Sequence, residues 1–151
     1  LGIKIFGGRA LMSMRLEKNW GAWTLDFRPD FTAAESGLDL FINWDKEFIG
    51  KEAALKEKQE GPKKRLVTMT IETKDIDVTG DEAIMKSGKC VGYITSGGYA
   101  HHVKKSMAMG YVPCNLAKSN TELEVEINGS LYKSNVQSKP LYDPGGTKMR
   151  N

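Results

Sequence analysis

The chain has 151 residues, 40% of them hydrophobic and 27% charged, with 22 Lys and Arg against 19 Asp and Glu for a formal net charge of +3. That length holds one full core and part of another domain, and so even a charge balance excludes the strongly basic surface of a nucleic-acid binder. No apolar run approaches the roughly 20 residues of a membrane helix and no signal-peptide pattern opens the chain, so neither nucleic acid nor membrane is an expected partner.

In chain order, Ile3-Lys4-Ile5-Phe6 reads as a strand or extended lead-in, Gly7-Gly8 as punctuation, and residues 9–18 as a helix free of Gly and Pro. On that helix Leu11 and Met14 share a face, and Glu17 continues the row one turn on, aiming its carboxylate at the core or a cleft. Such a carboxylate needs a partner. Arg15, Lys18 or a solvated helix end is the commoner solution. A ligand offering two parallel N–H donors is the sharper one, because an ionised carboxylate only accepts and matches such a fork. Residues 19–31 carry Trp20, Trp23, Phe27 and Phe31 and end at Pro29 and its neighbours, an aromatic-rich loop expected to plug a core or domain boundary. A turn or helix end follows at 33–38, then a short strand over 40–44 and a charged turn at Asp45-Lys46-Glu47. Residues 51–60 are all helix formers, stopped by Gly61-Pro62.

After Pro62 the hydrophobic period changes from helical to two, which places a domain boundary near residues 61–64. Strands are predicted at 65–72, 83–86, 90–94, 106–112, 122–127 and 131–136, with hairpin turns at Ser87-Gly88 and Asn128-Gly129. Gly97-Gly98 reads as a tight turn, Gly110 as an interruption, and the tail from Asp143 as extended. The expected fold class is therefore α+β: residues 1–62 from a partial α/β domain, and 63–151 a small antiparallel β-barrel, or else a sandwich, of about six strands. Cys90 and Cys114 form no CxxC pair and read as reduced thiols of an intracellular protein. His101 and His102 are adjacent and would face opposite ways in a strand, so no metal site is expected, and spacing alone assembles no catalytic set. Lys104 and Lys105 read as a surface pair, and the segment Thr95 to Tyr99 fits neither a nucleophile elbow nor a phosphate loop.

Particular strings carry more. Ser13-Met14-Arg15-Leu16-Glu17-Lys18, Glu35-Ser36-Gly37-Leu38 and Asp45-Lys46-Glu47-Phe48-Ile49-Gly50-Lys51-Glu52 resemble successive motifs of the glycine cleavage system T protein, or aminomethyltransferase, family. Further on, the stretch from Val91 to Tyr99 and Ala108-Met109-Gly110-Tyr111-Val112 resemble that family's C-terminal barrel. The Arg-Leu-Glu-Lys and Ser-Gly-Gly-Tyr forms are most similar to the folate-binding half of dimethylglycine and sarcosine dehydrogenases, which join it to an FAD-dependent amine oxidase.

The resemblance implies that Glu17 binds the pterin of tetrahydrofolate, whose ring N–H beside an exocyclic amino group is a fork suited to a carboxylate. It puts Lys46 near a basic position that steers the folate tail or substrate arm, and Tyr99 and Lys86 in segments bordering the folate cleft. Gly8 stands where flavin-linked relatives carry a tyrosine. The family's catalytic aspartate lies in an N-terminal region outside this chain, so no catalytic residue is expected here, and the isolated piece should not turn over. The implied function is that of the C-terminal part of a tetrahydrofolate-dependent aminomethyltransferase-like region of an FAD-dependent dehydrogenase. It passes a one-carbon unit from an N-methyl amine to tetrahydrofolate, in the cytoplasm or a mitochondrial matrix, with FAD and the remaining domains preceding Leu1. The alternatives are a stand-alone T protein or folate-dependent demethylase, and a non-catalytic folate-binding or interaction module.

Overall fold

The alternation that begins after Pro62 folds, in a computed structural model describing residues 2–148 and 150, as six antiparallel strands closed into a barrel. The strands are β1 (Lys64–Ile71), β2 (Ala83–Lys86), β3 (Lys89–Ala100), β4 (Lys105–Pro113), β5 (Glu122–Ile127) and β6 (Ser130–Gln137), and their order around the barrel is β1-β4-β3-β2-β5-β6. Both predicted hairpin turns form. Ser87, Gly88, Asn128 and Gly129 take φ of 51°, 74°, 50° and 78°, the positive values at both central positions that match a two-residue turn to the twist of its strands. Met69, Ile84, Ile94, Ala108, Val125 and Val136 fill the interior and are buried, and Val78 enters from the loop between β1 and β2.

At two places glycine does not break a strand as its residue type suggests. β3 runs through Gly97-Gly98 to Ala100, and β4 is continuous across Gly110. Gly92 and Gly110 sit where the backbones of β3 and β4 approach each other: an added Cβ would come 1.9 Å from the Tyr111 carbonyl oxygen at Gly92 and 2.5 Å from the Tyr93 carbonyl oxygen at Gly110. These glycines permit close approach rather than turning the chain.

Two helices precede the barrel, α1 (Gly8–Glu17) and α2 (Lys51–Glu60). The second has the predicted bounds. In the first, the predicted apolar row is not the buried one: Leu11 and Met14 are 51% and 43% exposed, while Arg15, Leu16 and Glu17 are buried. The C-terminal half of α1 meets the barrel, where Leu16 packs on Ala100, Met107 and Met109, a burial worth about 2–3 kcal/mol.

The strand expected over 40–44 is instead a 3-10 turn at Asp39–Phe41 with Leu40 and Phe41 exposed. A strand needs an edge to pair with, and a closed barrel offers none. The lead-in at 3–6 likewise joins no strand of the barrel. The tail from Asp143 is folded rather than extended: Gly146 N–H donates to the Asp143 carbonyl at 2.9 Å, and the Asp143 carboxylate accepts from the Thr147 and Lys148 amides at 2.9 and 3.2 Å, the local bonding that suits Asp to turns. Among the described residues no helix is long and apolar enough to cross a membrane.

Candidate functional site

Glu17 ends α1 with 3% of its surface exposed. Neither of its cationic neighbours in sequence is its partner: Arg15 turns to Asp26, and Lys18 donates to the Asp143 carbonyl at 2.7 Å. The Glu17 carboxylate reaches across to the turn between β3 and β4, where Oε1 accepts from the backbone amides of His102 at 2.6 Å and Val103 at 3.2 Å. The fork demanded by the sequence exists, and it is supplied by the chain itself. Both bonds fall on one oxygen, and among the described residues Oε2 accepts none. The tail straps the same corner, with Tyr142 N–H donating to the Glu17 carbonyl at 3.1 Å and the Tyr142 ring standing edge-on to His102 at 4.3 Å. Burial acts to raise the Asp143 carboxyl, but bonds from Thr147 and Lys148 and the charge of Lys18 hold it below the usual carboxylate range.

A second carboxylate, Asp26, organises the interior of this junction. It is 0% exposed. Its Oδ2 accepts from Arg15 Nη1 and from the Ala22 amide, both at 2.7 Å. Its Oδ1 accepts from Ser96 Oγ at 2.6 Å and from Thr95 Oγ1, and its carbonyl accepts from the Tyr111 hydroxyl at 2.8 Å. Burial pushes the Arg15 guanidinium below its ordinary value against the opposing pull of Asp26. Arg15 Nε and Nη2 are buried without a hydrogen-bond partner among the described residues.

The sequence reading missed Asp26, Thr95 and Ser96. The available signal was a lone acid between Leu25 and Phe27 in an aromatic stretch, where a carboxylate is either solvated or deeply paired.

Tyr111 closes the network, its ring stacked on Phe31 at 3.5 Å and 10° and its hydroxyl 2.8 Å from Ser36 Oγ. Of the aromatic loop, Phe27 and Phe31 thus pack inward as expected, whereas Trp20 and Trp23 are 57% and 76% exposed. Burial pushes the Tyr111 phenol up to about 12. An unfolded tyrosine ionises near roughly 10, so the folded state holds this proton more tightly. That contribution is complete below the unfolded value and is lost as pH rises from about 10 to about 12. Urea unfolding across that range should show the wild type losing about 2–3 kcal/mol more than Tyr111→Phe; parallel pH profiles would contradict the assignment.

Of the other residues singled out from sequence, Tyr99 lies at the same junction as Glu17. Its carbonyl accepts from Ser13 Oγ of α1 at 2.9 Å, and its ring, 41% exposed, stands edge-on to His101 at 5.1 Å. Lys46 is exposed in the loop before α2. Lys86 donates to the Glu122 carbonyl at 2.5 Å and pairs with Lys89 at the start of β3, ten residues before Tyr99 and so about 30 Å from it along the strand. The structure brings Glu17 and Tyr99 together and leaves Lys86 at the opposite end of the barrel.

A closed six-stranded antiparallel barrel with a helix end docked on β3 and β4 defines the class of this protein. Residues 64–143 match the glycine cleavage T-protein C-terminal barrel domain, and the chain belongs to that family, as the sequence motifs indicated. It is similar to human mitochondrial dimethylglycine dehydrogenase, with 41% identity over 151 residues that cover 99% of this chain and 17% of that protein. It is also similar to aminomethyltransferase from Synechocystis sp., with 35% identity over 143 residues covering 93% of this chain and 38% of that protein. The crystal structure of glycine cleavage system aminomethyltransferase T from Bartonella henselae matches with a TM-score of 0.80 and 28% identity, covering 89% of this chain and 38% of that one. The chain thus spans under a fifth of the dehydrogenase and under two fifths of the transferases.

Proposed function

We propose that this chain is the C-terminal part of a tetrahydrofolate-dependent aminomethyltransferase-like region, belonging to an FAD-dependent dehydrogenase of the dimethylglycine or sarcosine type. On this reading residues 1–62 are the end of the folate-binding domain, and residues 63–151 are the barrel that supports it. The observation that carries the reading is the state of Glu17: a buried carboxylate whose Oε1 is held by two backbone amides and whose Oε2 accepts no bond from the described residues. Oε2 is not among the buried atoms left without a partner, so it stays open at the surface of the junction. An acceptor presented in this way suits an N–H donor brought by a ligand, and the pterin edge provides one.

Bound tetrahydrofolate supplies the amine nitrogen that takes up the one-carbon unit. The chain's own residues orient and exclude. Glu17 Oε2 receives the pterin edge, the His102 and Val103 amides keep the carboxylate from swinging, and Tyr99 borders the cleft. Positioning of this kind lets capture of the carbon outrun its loss to water. Lys46 can meet an anionic folate tail from the loop before α2, while Lys86 takes no part. Oxidation of the N-methyl amine by FAD, and the aspartate that assists transfer, belong to the part of the polypeptide before Leu1, in the cytoplasm or mitochondrial matrix. That part would also cover side chains now in the open, including Ile5, Leu40, Phe41 and Ile49, which are 100%, 88%, 71% and 104% exposed.

Similarity to the Synechocystis aminomethyltransferase keeps a stand-alone transferase as the second reading, and a Gly-rich flavin-binding motif upstream decides between them. The proposal is tested by calorimetric titration of tetrahydrofolate into the full-length polypeptide that carries this chain. One saturable site is expected, and absence of binding would overturn the reading.

A further inference from the structure

We propose that Asp26 is a positioning residue for Glu17, locking the last turn of α1 through Arg15 so that the Glu17 carboxylate meets the His102 and Val103 amides in one orientation. The inference rests on the reading of Glu17 as the folate anchor, and extends it to a residue that touches no ligand.

Arg15 and Glu17 are two residues apart on α1, and at 3.6 residues per turn their side chains leave the helix about 200° apart. The helix end is therefore gripped from two sides. On one, Arg15 Nη1 donates to Asp26 Oδ2 at 2.7 Å. On the other, Glu17 Oε1 accepts from the His102 and Val103 amides at 2.6 and 3.2 Å. Leu16 is buried between them against Ala100, Met107 and Met109. Releasing either grip lets the last turn rotate about Leu16 and moves Glu17 relative to its amides.

Two irregularities of the backbone serve Asp26. Consecutive strand residues point to opposite faces, yet Thr95 and Ser96 both donate to Asp26 Oδ1. They can do so because the β3–β4 register shifts between Ile94 and Ser96, leaving Thr95 as the extra residue of a bulge. In the turn that carries Asp26, Thr24 takes φ of 67°, an unusual conformation for a β-branched residue, of the kind held only where surroundings require it. Four donors then fill the two oxygens of one carboxylate, which is its full capacity.

Stability alone is a poor account of this arrangement. A buried ion pair roughly offsets its own desolvation, and this one leaves Arg15 Nε and Nη2 without partners among the described residues. What the pair supplies is a fixed geometry between α1 and β3.

The test is a double-mutant cycle in the full-length polypeptide, reading tetrahydrofolate affinity by calorimetry for Asp26→Asn, Glu17→Gln and the double variant. Asp26→Asn keeps the shape but takes the compensating charge from Arg15, and should weaken binding about tenfold, the scale of a small misplacement at a site. In the Glu17→Gln background it should cost nothing more, because its effect passes through Glu17. Additive losses, the signature of independent sites, or no loss at all, would overturn the proposal. Hydrogen exchange in the absence of folate reads the same coupling: the His102 and Val103 amides should exchange faster in Asp26→Asn, and unchanged protection would contradict it. Should Asp26→Asn fail to fold, Thr95→Val, which removes a donor to Asp26, should weaken binding and speed exchange, while Thr95→Ser, which keeps the hydroxyl, behaves as wild type. Equal behaviour of these two overturns the role. If Glu17→Gln itself leaves affinity unchanged, the reading of Glu17 as the folate anchor fails; if Glu17→Gln weakens binding and the Asp26 variants do not, only the positioning role fails.

Discussion

Glu17→Gln is expected to lower tetrahydrofolate affinity by about ten- to a hundredfold, corresponding to the roughly 1.5–3 kcal/mol of a hydrogen bond to a charged group. The substitution is close to isosteric, and the local geometry dictates how it settles. The His102 and Val103 amides require an acceptor where Oε1 stands, so the glutamine keeps its carbonyl there and turns its NH₂ to the place of Oε2. A donor then faces the donors of the pterin. The fold should be disturbed by only about 1 kcal/mol, since both backbone bonds survive without their charge. Loss of affinity with little change in thermal stability is the expected pair of results. Equal affinities in calorimetric titrations would remove Glu17 from the folate site.

The largest expected effect on stability is at Gly92. An added Cβ there would lie 1.9 Å from the Tyr111 carbonyl oxygen and 3.1 Å from its carbonyl carbon, both backbone atoms of β4. No side-chain rearrangement relieves such a clash. β3 and β4 must separate, and with them the hydrogen bonds between two strands that also carry Ser96 and Tyr111 into the Asp26 network. Gly92→Ala should therefore cost about 3 kcal/mol or more and lower Tm by about 10 °C. Gly7→Ala is the matched control, because Gly7 has φ of −92° and nothing within 4 Å of an added Cβ. Its unfolding midpoint should stay close to that of the wild type; similar midpoints for the two variants would show that strand approach does not limit the barrel.

The barrel was legible because its signals are local. Alternation such as Val67, Met69 and Ile71 against Thr68 and Thr70 fixes the inward face, and Ser87-Gly88 and Asn128-Gly129 state their turns in two residues each. Helix α2 is similarly spelled out by its composition and its Gly-Pro stop. What failed depended on partners distant in sequence. Leu40 to Trp44 has strand composition, yet the closed barrel has no edge to accept it. Gly97 and Gly98 carry the residue type of a turn but lie within a strand. Glu17 could be read as a carboxylate in need of a fork of donors. That two of those donors come from His102 and Val103, 85 and 86 residues away, is set by tertiary packing alone. Asp26 was illegible for the same reason: its partners on β3 lie 69 and 70 residues on, and the bulge that brings both hydroxyls to it leaves no mark in composition. Lys86 shows the limit from the other direction, since membership of the same strand pair as Tyr99 does not place two side chains at the same end of a barrel.

The most direct test of the account is a structure of the full-length polypeptide with tetrahydrofolate bound. The pterin should place an N–H donor within about 3 Å of Glu17 Oε2, with Oε1 still on the His102 and Val103 amides. A pterin seated away from Glu17, or a Glu17 carboxylate engaged only by the β3–β4 turn, would contradict it.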